Sequence, residues 1–444
     1  MNFMKTAIKN IIALAALVLA LVACTSEEKD LFGQSAAQRL NESVANYQAL
    51  LAGSQYGWAM EFFPSAGQYG GYVLTARFQN GDVDMTSEMD FNSSSAGSAV
   101  PAGTVVSSKY SVKAEQSVIL TFDTYNRLIH FFSQPNGSSD PDGYESDYEF
   151  VFMRTSADGD SIFLRGKKYE NELVMVRLKE SGTDYIRDIK SMDNKIGYAP
   201  YSQLVVDGTA YNLDLTENVF SVTDAEGNTQ ALPFVLNPVG LRIYEPLVLN
   251  GHSVSSLVYD TATGSLKSAD GVAVASLPDG VGQILHARYP WVFQANQTQG
   301  DMSADLLAKF QTVAKLRYAP AVFDYACFTT PSRPADVQKG FERILSFQWS
   351  VTTVFGTSYA WLNNGVALSQ SATDPEVINI EDAGAGYGYT TSYKRKASPF
   401  FDALFAGSPY KVTFNEGGLK TEARFVSVAN PSLWFTMKFN TAIE

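Results

Sequence analysis

Apolar and polar residues alternate in short runs along most of the chain, and turn residues separate the runs. Residues 58–63, 71–78 and 161–167 are three of these runs. A period of two places every second side chain on the same face of a β-strand. Asn80-Gly81, between two such runs, is the strongest short-range signal of a hairpin. The pattern predicts a mainly β protein with a few helices (α+β), built from antiparallel sheets or partly closed barrels.

Three segments have the helical spacing of apolar residues instead. Residues 35–52 form the first, with Ser35 as a good N-cap and Gly53 at its end. Residues 301–317 form the second clear one, and residues 181–196 are a shorter candidate. A helix followed by a set of strands thus recurs three times. No visible sequence identity accompanies this order, so an internal repeat is a hypothesis.

The order of these elements divides the chain into two or three domains, which its length of 444 residues also allows. We predict an N-terminal helix plus antiparallel β domain over residues 35–200. A second β region follows over residues 201–300, and a C-terminal helix plus β domain covers residues 301–444.

The N-terminus has the organisation of a bacterial export signal. Lys5 and Lys9 precede an apolar run of thirteen residues, 11–23. This run is shorter than the about 20 residues that span a bilayer. Residues 21–24 (Leu-Val-Ala-Cys) resemble the bacterial lipobox. We predict a signal peptide over residues 1–23, lipid attachment at Cys24 and a tether over residues 24–34. The alternative is a plain secretory peptide with a chance Cys.

Acyl chains on Cys24 would hold the protein to a membrane without a spanning helix. The acidic residues Glu27, Glu28 and Asp30 follow. They resemble the short stretch that directs Bacteroidota lipoproteins to the cell surface. We therefore predict a lipid-anchored outer-membrane protein, with the cell surface favoured over the periplasmic face.

Composition narrows the possible partners. The net charge is −13, and loss of Lys5 and Lys9 with the signal takes it to −15. This charge is spread along the chain, which argues against nucleic acid as a partner and against a basic membrane-binding face.

Cys327 would be alone in the mature chain, so no intramolecular disulfide can form. Its apolar neighbours predict a buried, inert thiol.

Motifs that carry known chemistry are missing from the sequence. The three histidines, His130, His252 and His286, do not have metal-ligand spacing. No Gly-x-Ser-x-Gly elbow or phosphate-binding glycine loop is present. We predict no catalytic residue, no cofactor and no metal ligand. His130 lies in the apolar run 128–132, which we interpret as a strand, with the histidine in the core or on the strand face.

One acidic segment, residues 138–149, partly matches the calcium-binding loop of an EF-hand. The residues at loop positions 1, 3, 5, 6 and 12 are Ser138, Asp140, Asp142, Gly143 and Glu149. Position 1 is Ser rather than Asp, and Pro141 is unusual there. Predicted strands rather than helices flank the segment. A solvated hairpin loop is therefore the favoured interpretation, and calcium is the alternative.

Several stretches together resemble a known family. Residues 30–41, residues 120–126 with 147–150, and residues 164–168 are similar to the DUF4302 family of Bacteroidota lipoproteins. The resemblance covers roughly residues 25–200. The family has no established activity, so the resemblance implies no catalytic residue. It implies a place among accessory lipoproteins of outer-membrane uptake systems of the SusC/SusD type.

Three functions are compatible with these patterns. The favoured one is a non-enzymatic accessory protein that binds a ligand or docks on an uptake complex. The alternative is an extracytoplasmic glycan hydrolase, which would need two carboxylates facing each other in a cleft. A purely structural or adhesive protein, without a concave pocket, is the third. We expect most aromatic side chains to be buried, and Trp291 is the first candidate for an exposed sugar-stacking platform.

Overall fold

The computed structural model describes residues 35–91, 99–135, 141–197, 199–287, 290–317, 320–388, 391–415 and 420–439. The predicted signal peptide, Cys24 and the predicted tether lie outside these residues. The described chain forms three closed barrels of eight antiparallel strands each, called barrels 1, 2 and 3 below. The predicted class, a mainly β fold of antiparallel sheets in several domains, is confirmed, and closure of the barrels is complete rather than partial.

Barrel 1 follows helix α1 (Ala36–Ala52), which begins where the sequence predicts. The Ser35 hydroxyl accepts a hydrogen bond from the Gln38 N–H, and the Gln38 side chain accepts one from the Ser35 N–H. This capping box stabilises the first turn. The strands of barrel 1 are β1 (Trp58–Phe62), β2 (Tyr72–Gln79), β3 (Asp82–Ser87), β4 (Val106–Ala114), β5 (Val118–Phe122), β6 (Glu149–Thr155), β7 (Ser161–Gly166) and β8 (Glu172–Arg177).

Pairing of the first strand with the last closes barrel 1. β1 and β8 are in register from Trp58 opposite Arg177 to Phe62 opposite Leu173. β2 and β3 are joined by the two-residue turn Asn80-Gly81, with φ of +49° and +83°. A turn of this kind requires positive φ at both positions, which Asn and Gly tolerate best. The predicted hairpin is therefore confirmed.

Helix α2 (Arg127–His130) lies between β5 and β6 and corrects one prediction. Residues 128–132, interpreted from their apolar character as a strand, form this helix and the following 3₁₀ turn (Phe131–Ser133). The reason is local, because the Asn126 side chain accepts a hydrogen bond from the Leu128 N–H at 3.0 Å and caps the helix.

Helix α3 (Gly182–Gly197), which the sequence predicts at residues 181–196, leads into barrel 2. The strands of barrel 2 are β9 (Gln203–Val206), β10 (Thr209–Asp214), β11 (Val219–Thr223), β12 (Thr229–Asn237), β13 (Gly240–Leu249), β14 (His252–Tyr259), β15 (Leu266–Lys267) and β16 (Ala273–Ala275). β16 pairs with β9 to close it. The register shifts between Arg242 and Leu247, where Pro246 has no N–H to donate.

Helix α4 (Gly282–Leu285) connects barrel 2 to barrel 3. The strands of barrel 3 are β17 (Trp291–Gln294), β18 (Val322–Thr329), β19 (Arg343–Thr353), β20 (Gly356–Gln370), β21 (Val377–Ala385), β22 (Tyr410–Phe414), β23 (Glu422–Ser427) and β24 (Trp434–Phe439). Its helices are α5 (Ala304–Ala314) after β17, α6 (Pro334–Val337) after β18 and α7 (Thr391–Ala406) after β21. α5 thus follows the first strand of its barrel, whereas α1 and α3 precede theirs.

Barrels 1 and 2 share an apolar cluster. Ala59, Phe63 and Val73 of barrel 1 pack into the same cluster as the interior of barrel 2. The Asn218 side chain of barrel 2 donates a hydrogen bond to the Gly71 carbonyl at 2.9 Å. Barrels 1 and 2 are therefore joined by packing and not only by the chain that connects them.

Candidate functional site

The site begins at the end of β5, where the chain leaves the wall of barrel 1. Asn126 is fully buried there. Besides capping α2, its side-chain amide donates to the Val106 carbonyl and the Ser108 hydroxyl at 3.2 and 3.1 Å. These bonds tie the start of α2 to strand β4. They also fix the positions of Tyr125, which precedes Asn126 in the chain, and of His130, which lies one helical turn after it.

Three neighbouring rings lie at the end of α2, and we call them the tyrosine ladder: Tyr125, His130 and Tyr148. The rings of His130 and Tyr148 are stacked, with centres 4.8 Å apart and planes 25° apart. The ring of Tyr125 is tilted by 43° against that of His130, with centres 5.4 Å apart. Tyr125 is 51% exposed and Tyr148 is 43% exposed. Burial lowers the pKa of His130, so its ring is neutral at neutral pH. The ladder is an uncharged aromatic surface open to solvent.

A cavity of 530 Å³ lies next to the ladder at the same end of barrel 1. Its volume is within the range of small-molecule sites. Tyr148 belongs to both the ladder and the cavity. The residues that line the cavity are Ser133, Ser146, Asp147, Tyr148, Glu149, Lys167, Lys168 and Tyr169.

Asp147 builds one wall of the cavity. Its buried carboxylate accepts backbone N–H bonds from Lys168 at 2.6 Å and from Tyr169 at 3.2 Å. Gly166 leaves room for this carboxylate, since a Cβ there would lie 1.9 Å from the Asp147 Oδ2 atom. Burial raises the pKa of Asp147, and the two backbone bonds oppose that shift. Asp147 therefore holds the turn after β7 in place.

The other polar groups of the cavity differ in whether they have an ion-pair or hydrogen-bond partner. Glu149 pairs with the Lys167 ammonium at 3.3 Å, and Lys167 also pairs with Glu115 at 2.9 Å. The Ser146 hydroxyl is buried and has no hydrogen-bond partner among the described residues. A buried hydroxyl without a partner is uncommon in a native protein, and an open neighbouring cavity lets a ligand supply one.

Residues 141–149 of the acidic segment belong to this region. Ser138 and Asp140 lie outside the described residues. Asp142 accepts a hydrogen bond from the Tyr169 hydroxyl at 2.6 Å, and this bond with the nearby Lys168 ammonium lowers the pKa of Asp142. Over the described parts of the chain, no three His, Cys, Asp or Glu side chains are close enough to hold a metal ion.

The remaining candidates from the sequence lie elsewhere. His252 is 3.4 Å from the Asp207 carboxylate in barrel 2, and His286 follows α4. Trp291 is 2% exposed and packs against Phe414 and Phe439, so its ring is part of the core of barrel 3. It also lines a smaller cavity of 250 Å³. Trp291 is therefore not an exposed stacking platform.

Cys327 is buried in barrel 3, as its apolar neighbours predict. Burial raises the pKa of the Cys327 thiol to about 12. Because the thiolate is the reactive form, this cysteine is inert at neutral pH. None of the helices in the described part of the chain is long and apolar enough to cross a membrane.

The fold and the site define a protein of three linked β-barrels whose first barrel has an aromatic surface beside a polar cavity. The model of the DUF4302 family, described as a domain of unknown function, matches residues 28–261. The chain belongs to this family, as its sequence resemblance implies. The match spans barrel 1 and barrel 2 as far as β14, and it includes the whole described site. No curated protein matches the chain.

Proposed function

We propose that the protein is a non-enzymatic glycan-binding accessory lipoprotein that captures its ligand on the tyrosine ladder. The observation that carries this proposal is the juxtaposition of two exposed tyrosine rings and a 530 Å³ cavity. Tyr125 and Tyr148 also lie in two of the stretches that carry the family resemblance. The proposal therefore concerns the part of the chain that the family model covers.

Sugar chemistry fits both halves of the site. The face of an aromatic ring carries negative partial charge, which attracts the C–H groups on the face of a pyranose. The neutral ring of His130 extends that surface between the two tyrosines. Sugar hydroxyls need hydrogen-bond partners, and Ser146 and the exposed ammonium of Lys168 supply them at the cavity. A flat aromatic face beside a few polar groups is the usual composition of a binding pocket.

The carboxylates of the cavity support binding rather than hydrolysis. A glycosidase needs one carboxyl group free to donate a proton and another free to attack or to activate water. Asp147 is held by the backbone of Lys168 and Tyr169, and Glu149 is paired with Lys167. Both acids have structural partners. The arrangement of this cavity therefore favours ligand binding, and a glycan hydrolase is the alternative function.

The same proposal places the protein on the outer membrane, with Cys24 lipidated and an uptake complex of the SusC/SusD type as its docking partner. The lipobox-like residues 21–24 and the family resemblance support it. Replacing Cys24 with Ser should abolish incorporation of radiolabelled palmitate in the native host, because the thiol is the acceptor of the diacylglyceryl group that carries the acyl chains. A Cys24→Ser chain that still incorporates the label would contradict the lipid anchor.

Removing a ladder ring should weaken glycan binding. We expect Tyr148→Ala to raise the Kd for the best-bound oligosaccharide about tenfold or more, which corresponds to about 1.4 kcal/mol. Tyr148→Phe should retain most of the affinity, because the ring face remains. The measurement is titration calorimetry with soluble oligosaccharides of glucose, mannose, galactose and N-acetylglucosamine.

Tyr359 provides a matched control for this experiment. It is 51% exposed, as is Tyr125, but it lies on β20 of barrel 3. Tyr359→Ala should leave glycan affinity unchanged, whereas Tyr125→Ala should reduce it. Equal affinities for the Tyr125→Ala, Tyr148→Ala and Tyr359→Ala chains would exclude the ladder as the binding surface. Release of reducing sugar during the titration would favour the hydrolase instead.

A further inference from the structure

The hairpin of β19 and β20 ends in two fully exposed apolar side chains. The strands stay in register from Arg343 opposite Val366 to Thr353 opposite Gly356. The turn between them consists of Val354, 95% exposed, and Phe355, 98% exposed. Such exposure of neighbouring large apolar residues marks a site of interaction. We call Val354 and Phe355 the hairpin tip.

The hairpin also carries no charged residue over a long stretch. Residues 344–373, thirty in succession, contain no Asp, Glu, Lys or Arg, although charged residues make up 18% of the chain. The stretch includes most of β19, the hairpin tip and all of β20. The hairpin tip therefore brings no charge of its own to a surface that it approaches.

Polar groups near the hairpin tip bond within the hairpin. The Phe355 N–H donates to the Thr353 hydroxyl, and that hydroxyl donates to the Gly356 carbonyl, each at 3.2 Å. The hydroxyls of Thr352 and Thr357 pair across the strands at 3.1 Å. A segment that enters hydrocarbon must satisfy its polar groups internally, because no water is present there to do so. The hairpin tip meets this requirement better than a loop that relies on solvent.

Amphipathic side chains lie further back along the hairpin. Tyr359, 51% exposed, is three residues beyond Gly356, which places it about 10 Å from the turn at the usual strand rise. Asp324 lies at the same level, where it accepts a hydrogen bond from the Ser350 hydroxyl at 2.6 Å. The Arg333 guanidinium stacks 3.8 Å from the centre of the Trp361 ring, still further back. Interfacial Tyr and Trp beside charged groups are typical of the headgroup level of a bilayer.

We propose that the hairpin tip inserts into a lipid bilayer and gives barrel 3 a membrane contact of its own. A depth of about 5–10 Å, usual for interfacial segments, would bury Val354 and Phe355 and leave Tyr359 at the headgroups. The apolar tip, the internal hydrogen bonds and the aromatic residues at this distance all fit lipid. Because the chain carries −13 and residues 344–373 contain no basic residue, the contact is apolar and does not require anionic lipid. This inference does not depend on glycan binding or on lipidation of Cys24.

A position-specific fluorophore tests the insertion in the full chain. The chain has two cysteines, Cys24 and the buried Cys327. Cys24→Ser removes the first, so that the cysteine of a Phe355→Cys variant can be labelled with the environment-sensitive dye NBD. The matched control is Val239→Cys, at a turn of barrel 2 where the side chain is 59% exposed. Both labelled chains are mixed with phosphatidylcholine vesicles, with and without nitroxide on the acyl chains.

We expect the label at position 355 to shift to shorter emission wavelength and to be quenched by the acyl-chain nitroxide, while the label at position 239 does neither. Adding Val354→Ser should reduce quenching at position 355 several-fold at equal lipid. Replacing part of the phosphatidylcholine with phosphatidylglycerol should not increase it. Emission at position 355 that is unchanged by vesicles, or quenching equal at both positions, would overturn the proposal, even where an N-terminal anchor brings the whole chain to the membrane.

Discussion

Replacing Arg242 with Met is expected to lower the free energy of unfolding of barrels 1 and 2 by about 3 kcal/mol. The Arg242 guanidinium on β13 of barrel 2 contacts the Glu61 carboxylate on β1 of barrel 1, and the side chain of Glu61 is only 8% exposed. Without Arg242, a buried carboxylate loses its counter-charge inside the shared apolar cluster. An unpaired buried charge costs much more than the pair itself contributes.

The double variant Glu61→Gln with Arg242→Met separates loss of a partner from loss of packing. It removes both charges, so most of the lost stability should return. The matched control is Arg187→Met, because Arg187 forms exposed ion pairs with Asp184 and Asp188 on α3 and its loss should have little effect. Urea unfolding with amide hydrogen exchange of the β1 and β13 peptides reports the stability. Equal loss in the single and double variants would show that the buried ion pair is not the cause.

A second large effect concerns pH, because burial raises the pKa of Glu88 to about 8. Glu88 follows β3, and its carboxyl oxygen accepts the Val73 N–H at 2.7 Å. Asp193 on α3 raises the pKa further, whereas Lys190 lowers it. The folded protein therefore keeps a proton that the unfolded chain releases near the ordinary glutamate pKa of 4.5. Its stability should fall as pH rises from about 4.5 to about 8, by at most ~1.4 kcal/mol per pH unit.

Glu88→Gln should remove this dependence, since Gln keeps the carbonyl acceptor for Val73 and does not ionise. We expect the variant and the parent to be equally stable near pH 4.5. By pH 9 the variant should be more stable by about 1–3 kcal/mol, because solvent screens part of the effect at this partly exposed side chain. Glu226→Gln, on an exposed turn of barrel 2, is the control. Parallel stability curves for the parent and Glu88→Gln between pH 4.5 and pH 9 would contradict the raised pKa of Glu88.

The local structure of this chain could be predicted where neighbouring residues determine it. Ser35 and Gln38 cap α1, and Asn80-Gly81 has the conformation that a two-residue hairpin needs. Closure of the barrels could not be predicted in the same way. Pairing of Trp58 with Arg177 joins strands more than a hundred residues apart, and no short-range pattern encodes that contact.

The candidate site, too, could be predicted only in part from the sequence. Tyr125 and Tyr148 lie in the family-like stretches 120–126 and 147–150, but the rings meet only through His130, whose segment was wrongly interpreted as a strand. Asn126 was the available signal, since an Asn ahead of an apolar run is a good helix cap. The hairpin tip was also visible in the sequence as an apolar pair inside thirty uncharged residues. The sequence does not show that β19 and β20 are long strands that carry Val354 and Phe355 at their turn, where both side chains are fully exposed.

Histidine resonances give the most direct test of glycan capture on the tyrosine ladder. The chain has three histidines, and His130 alone lies in the ladder, while His252 and His286 lie in or after barrel 2. In NMR spectra of protein with labelled histidine, addition of the best-bound oligosaccharide should shift the His130 ring signals and leave the other two unchanged. Saturating glycan binding with no change at His130, or no binding of any oligosaccharide tested, would contradict the proposed function.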